Sequence, residues 1–214
     1  FVDRGLQMIF DRNKPKMFED DYSFTSKEKI RIIKKVAEGG AGCVYKAIYD
    51  GLGGFEKTVA LKVLVASKSD GRELDYFFNE AKLVSHLVHE NIVQLYTLGK
   101  HRSRYYIVYE YISGVNLHEF LRVHRFLNIK VPVDLATFII SKITRGLAYA
   151  HESLDDYGQP CNIVHRDVCP RNIMVSISGQ PKLTDFGIAI ARDCVYEEKY
   201  AGKPMYMSPE QATC

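Results

Sequence analysis

The run His165-Arg166-Asp167-Val168-Cys169-Pro170-Arg171-Asn172 is followed downstream by Thr184-Asp185-Phe186-Gly187. These segments carry two carboxylates, Asp167 and Asp185, and one side-chain amide, Asn172, at a spacing suited to phosphoryl transfer. If a hairpin separates them, one carboxylate can orient a nucleophile while the amide and the second carboxylate hold its metal ions. The intervening residues read as that hairpin. Ile173-Met174-Val175 and Lys182-Leu183-Thr184 are apolar-rich runs on either side of the turn-forming cluster Ser178-Gly179-Gln180-Pro181. A lone Asp-Phe-Gly is common in turns, so the weight rests on a second, independently spaced set of residues.

That set begins at Val36-Ala37-Glu38-Gly39-Gly40-Ala41-Gly42-Cys43-Val44-Tyr45. Residues Ile30 to Val36 and Cys43 to Tyr49 are rich in β-branched and aromatic types, which predicts a hairpin with a glycine-rich tip. Without a Cβ in the way, backbone N–H groups of Gly39, Gly40 and Gly42 can approach anionic oxygens. Next comes Val59-Ala60-Leu61-Lys62-Val63-Leu64, an apolar strand whose single lysine needs a partner if it points inward. Arg72 to Leu87 has helical periodicity, with Leu74, Phe77, Phe78, Ala81, Val84, Ser85 and Val88 forming one apolar face. Glu80 falls at the edge of that face, where its carboxylate can reach Lys62.

With these residues in order, the chain resembles a protein kinase from about residue 29 to residue 214. The resemblance rests on the glycine-rich loop, Val-Ala-Leu-Lys, the helix glutamate, His-Arg-Asp, Asp-Phe-Gly and Met207-Ser208-Pro209-Glu210. Leu147-Ala148-Tyr149-Ala150-His151, Gly158-Gln159-Pro160 and Ile163 to Val168 are most similar in wording to bacterial serine/threonine kinases. The resemblance implies an α+β, two-lobed fold: an N-lobe with a five-stranded antiparallel sheet and one helix, then a mainly helical, incomplete C-lobe. It divides the chain into an extension or linker at 1–28, N-lobe and hinge at 29–112, and a partial C-lobe at 113–214.

It also implies roles. Lys62 would hold the α- and β-phosphates of ATP and pair with Glu80. Asn172 and Asp185 would bind Mg²⁺, with Mn²⁺ as an alternative ion, and Asp167 would accept the substrate proton. Ala37, Gly39, Gly40, Gly42, Val44 and Ala60 would line the nucleotide, the hinge Tyr109-Glu110-Tyr111-Ile112 would hold the adenine edge, and Asn116 would also be a nucleotide-binding residue. Tyr109 is the gatekeeper in this alignment and narrows the space behind adenine. The implied partner is a protein substrate.

Three departures matter. Ala37 replaces the usual first loop glycine. Cys169 stands where serine/threonine kinases carry a lysine that contacts the transferring phosphate. Lys203 stands where the substrate-positioning segment has a threonine. Because the last two positions flank the same catalytic Asp in this fold, two readings stand open: Lys203 supplies the charge that Cys169 lacks, or it points to solvent. A unit charge about 4 Å from its partner is worth up to about 4 kcal/mol at an effective dielectric of 20. Glu197 and Glu198 are expected to neutralise Arg166 without phosphorylation, although Tyr196 and Tyr200 offer hydroxyls. Arg171, before the metal-binding Asn, also occurs in tyrosine kinases, whereas Gly202 to Glu210 is closer to the serine/threonine form. A pseudokinase scaffold is the alternative: Cys169 and Lys203 support it, and the intact Lys62, Glu80, Asp167, Asn172 and Asp185 oppose it.

The composition suits a soluble globular domain, with 46% hydrophobic and 26% charged residues among 214. A net charge of +3, with basic and acidic residues interspersed, gives no case for nucleic acid or a membrane surface. No apolar run approaches the ~20 residues of a membrane span. Cys43, Cys161, Cys169, Cys194 and Cys214 have no metal-like spacing and read as reduced thiols of a cytoplasmic protein. Phe1 and Cys214 look like cut ends, so Glu210 is expected to lack an ion partner. Leu135, Phe138, Ile139, Ile143 and Leu147 are expected to be partly uncovered and the fragment alone poorly stable, its activity being left open by the sequence.

Overall fold

The computed structural model describes residues 23–25, 29–39, 42–64, 78, 81, 82, 84–101, 104–155, 157–186 and 203–213. Its strands are β1 (Ser23–Thr25), β2 (Lys29–Gly39), β3 (Gly42–Asp50), β4 (Glu56–Leu64), β5 (Leu95–His101), β6 (Arg104–Glu110), β7 (Gly114–Asn116), β8 (Ile173–Ser176) and β9 (Pro181–Leu183). The helices used below are α1 (Leu117–Phe126), α2 (Val133–His151) and the short α3 (Pro209–Thr213). Two antiparallel sheets result: a large one in the order β1-β2-β3-β4-β6-β5 and a small one in the order β7-β8-β9.

The large sheet has six strands rather than five. The extra one comes from residues expected to be linker: Ser23, Phe24 and Thr25 pair with Arg31, Ile30 and Lys29 on the edge of β2. Alternation along β4 then fixes what faces the cleft. Val59, Leu61 and Val63 are buried against Ile30, Ile32, Tyr45 and Val108 on one face, so Ala60 and Lys62 project from the other. That second face is continuous with a core that runs from Ala81, Leu87 and Leu95 through Ile107 and Tyr109 to Ile143, Ile173, Leu183 and Phe186. One apolar body therefore holds the large sheet against the small one. The loop before β5 completes the join, because Val93 N–H donates to Leu183 O and Leu183 N–H donates to Asn91 O.

The hinge strand runs further than expected. β6 continues through Tyr109 and Glu110, which pair with Ala60 and Val59 of β4, so the extended link between the sheets starts at Tyr111. Of the expected helix at 72–87, Phe78, Ala81, Lys82, Val84 and Ser85 are helical among the described residues. Phe78 makes an edge contact with Tyr105, ring centroids 5.3 Å apart. Glu80, Gly40, Tyr196, Glu197, Glu198, Tyr200, Cys194 and Cys214 lie outside the described residues.

The apolar positions of α2 divide. Ile139 and Ile143 are buried, Leu135 and Leu147 half-buried, and Phe138, Ile140 and Val133 exposed, as is Phe126 at the end of α1. Among the described residues no helix is long and apolar enough to cross a membrane.

Candidate active site

The two sets of residues singled out in the sequence meet at the cleft between the sheets. Lys62, on the cleft face of β4, donates a hydrogen bond from Nζ to Asp185 Oδ1, and the two form an ion pair. Burial acts to raise the Asp185 carboxyl, but the charge and hydrogen bond of Lys62 outweigh it and hold the group below the usual carboxylate range. The Asp185 backbone has φ 59° and that of Arg166 φ 63°. Both lie in the left-handed region that side chains other than glycine rarely enter, a conformation that costs roughly 1–3 kcal/mol and persists only where the surroundings enforce it.

His165 is one enforcing group. It is buried, its Nε2 lies 3.0 Å from the carbonyl of Thr184, and its Nδ1 accepts from Asp167 N–H at 3.3 Å. A neutral ring protonated on Nε2 satisfies both contacts, whereas a second proton on Nδ1 would oppose the Asp167 N–H. Burial accordingly holds the imidazole below its ordinary pKa, despite the Thr184 carbonyl and the nearby Asp167. The ring also packs against Phe186, centroids 4.6 Å apart. His165 thus ties the backbone before Asp185 to the backbone of Asp167.

Asn172 ends the turn Pro170–Asn172 and is buried. Its Nδ2 donates at 2.8 Å both to Asp167 O and to Asp167 Oδ2. With the amide nitrogen so used, the side-chain carbonyl oxygen is the atom left for a cation. Lys203 approaches from the far side. Its Nζ donates to Asp167 Oδ2 at 3.0 Å and to Cys169 Sγ at 3.1 Å, and its N–H lies 3.3 Å from Asp167 Oδ1. Burial acts to lower the Lys203 ammonium, but hydrogen bonds to Cys169 and Asp167 prevail and push it above the ordinary lysine range. The short thiol leaves the space that the longer lysine fills.

On the glycine-loop side of the cleft, Ala37 pairs with Val44 and Gly39 with Gly42, so β2 and β3 reach almost to the loop tip. Ala60 and Tyr109 are cross-strand neighbours. Among the described residues the buried Tyr109 hydroxyl has no hydrogen-bond partner, and burial pushes it well above the usual phenol range. Ile112 is packed at the edge of the core. Tyr111 has the Lys46 ammonium 5.0 Å above its ring, which joins the link to β3. Asn116 caps α1, its Oδ1 accepting from Glu119 N–H at 2.8 Å.

Three contacts were not anticipated. Glu110 turns its carboxylate to Lys182 on β9 at 2.8 Å and receives Gln94 N–H at 3.3 Å, bridging the sheets; two opposite charges far apart in sequence give no signal. Gln211 of α3 donates from Nε2 to Arg166 O at 2.8 Å. Glu210, expected to lack an ion partner, has its carboxyl held below the usual range by hydrogen bonds from its own backbone N–H and the Ser208 hydroxyl.

Among the described residues no group of three or more His, Cys, Asp or Glu gathers around one point. Asp185 and Asn172 can supply only part of a cation's shell. That donor set fits Mg²⁺, which takes one or two protein oxygens and completes its octahedron with water and phosphate.

The chain is similar to known proteins. The family model for the protein kinase domain matches residues 30–213. The chain is 37% identical over 185 residues to the tyrosine-protein kinase MasK of Myxococcus xanthus, covering 85% of this chain and 29% of that protein. It is 35% identical over 191 residues to the serine/threonine-protein kinase PrkC of Bacillus subtilis, covering 86% of this chain and 27% of that one. Among solved structures, a doubly substituted PknI kinase domain of Mycobacterium tuberculosis superposes with a TM-score of 0.69 at 22% identity, over 92% of this chain and 70% of that one. The chain thus spans under a third of the length of these two curated relatives.

Proposed function

The chain belongs to the protein kinase family, and from that premise we propose that it transfers the γ-phosphoryl group of ATP to serine or threonine hydroxyls of a protein. The supporting observation is the convergence of Lys62, Asp185, Asn172, Asp167 and Lys203 on one cleft. In this reading Lys62 binds the α- and β-phosphates, and Asn172 and Asp185 hold the metal. Mg²⁺, when bound, neutralises charge on the phosphate oxygens. Asp167 orients the incoming hydroxyl and accepts its proton, its carboxylate fixed by Asn172. Lys203 holds a positive charge beside Asp167 where the loop itself offers only Cys169. Ala37, Gly39, Gly42, Val44 and Ala60 wall the nucleotide, while the backbone from Tyr109 to Ile112 meets the adenine edge. Glu80 is assigned as the second partner of Lys62. The free thiols Cys43, Cys161 and Cys169 suit a reducing cytoplasm.

MasK is named a tyrosine kinase and PrkC a serine/threonine kinase. The segment Met207-Ser208-Pro209-Glu210 favours the second class for this chain. Incubating the full-length protein with Mg²⁺-ATP and a mixed protein substrate, followed by phosphoamino-acid analysis, is the test. Phosphoserine and phosphothreonine that vanish in Asp167→Asn are expected. Nucleotide binding without Asp167-dependent transfer would overturn the proposal in favour of a scaffold.

A further inference from the structure

Resting on that activity, we propose that the site selects hydroxyls flanked by a carboxylate side chain, read by Arg171 with His118 of α1. Arg171 lies on the same turn as Asn172, whose amide grips Asp167. Its side chain is exposed, and its Nη2 lies 3.5 Å from His118 Nε2. Among the described residues no carboxylate pairs with it.

The surrounding charges point the same way. On α1, Glu119 is the single acid among His118, Arg122, His124 and Arg125, and it is already paired with Arg122 at 2.6 Å. Asp167 is engaged by Lys203 and Asn172. Arg166 is exposed one residue before it. On α3, the carboxyl of Glu210 is bound by its own helix start and Ser208. The described rim of the catalytic turn is therefore an excess of cation.

A substrate hydroxyl must come within hydrogen-bond reach of Asp167. An extended peptide advances about 3.3 Å per residue, so side chains one to three positions from the acceptor fall within reach of an arginine anchored beside Asn172. An arginine whose neighbour is an imidazole nitrogen keeps its planar fork of donors, the shape that binds a carboxylate through two parallel hydrogen bonds. The same charge repels a lysine or arginine in the peptide, which adds discrimination.

The test uses the full-length protein and serine peptides that differ only in carrying Asp, Ala or Lys at each position flanking the acceptor. The expected wild-type result is a kcat/KM about five- to tenfold higher for Asp than for Lys at one or more positions, carried mainly by KM and shrinking as salt is raised. The Asp-to-Lys ratio is expected to fall to about one or invert in Arg171→Glu, fall part-way in Arg171→Ala and persist in Arg171→Lys. Each ratio is internal to one variant, so a change in overall activity does not affect it. Equal use of Asp and Lys peptides by the wild type, or an unchanged ratio in Arg171→Ala, overturns the inference alone. Absence of transfer to any peptide or protein overturns the proposed activity and this inference with it.

Discussion

At the scale of single residues, Lys203 and Cys169 are best understood together. The ammonium contacts both the thiol and the carboxylate of Asp167, so a charge absent from one loop reappears on another. Replacing Lys203 by Met should lower kcat on the order of a hundredfold, the scale of one transition-state contact, and leave KM for ATP nearly unchanged. Steady-state kinetics checks it, and a KM rise with kcat intact would contradict it. His165 gives a prediction about pH. The unfolded chain protonates this imidazole near pH 6.5, whereas the buried ring, held below that value, takes up its proton later. The unfolded state then binds more protons, so stability is unaffected above about pH 6.5 and falls as pH drops below it. Denaturation midpoints measured from pH 7.5 to 5.5 should decline, and less steeply in His165→Phe.

At the scale of elements, the sequence displayed what had local periodicity or turn chemistry. The hairpin of β8 and β9 was legible because apolar runs bracket a Ser-Gly-Gln-Pro turn, and β4 because its lysine interrupts an otherwise apolar alternation. The third strand of that small sheet was not, since Gly114-Val115-Asn116 acquires strand character only by pairing with Met174 to Ser176. β1 was hidden for the same reason: a three-residue edge strand has no pattern of its own. Pairing with Val59 and Ala60 carries β6 on through Glu110, into residues expected to be hinge. β7 also yields a test. A Cβ at Gly114 would lie 2.0 Å from the Val175 carbonyl oxygen, and backbone cannot swing aside as a side chain can. Gly114→Ala should therefore cost roughly 1–3 kcal/mol in chemical denaturation, and Gly179→Ala, in an open turn but at φ 80°, should cost roughly 1–2 kcal/mol through backbone strain alone.

At the scale of the molecule, the two sheets are joined by shared core and by the Glu110–Lys182 bridge. Lys182 precedes Asp185 by three residues and Glu110 leads into the link proposed to meet adenine, so the bridge sets one end of the cleft between the sheets against the other. Among the described residues, Lys182→Met leaves the half-buried Glu110 carboxylate with Gln94 N–H as its one remaining partner. It should raise KM for ATP several-fold with a smaller change in kcat, on the scale of losing one partly buried ion pair. The charge-exchanged pair Glu110→Lys with Lys182→Glu should recover part of the loss in ATP titrations. Such long-range pairings were beyond the reach of sequence, because nothing local marks which of many charges will meet. The bond from Gln211 to the Arg166 carbonyl has a mechanical meaning. It fastens α3 to a peptide unit already wound the wrong way for an L-residue, next door to Asp167, the proposed proton acceptor. Any tug on that short helix, from a docked protein or a neighbouring segment, is expected to arrive within one residue of that carboxylate.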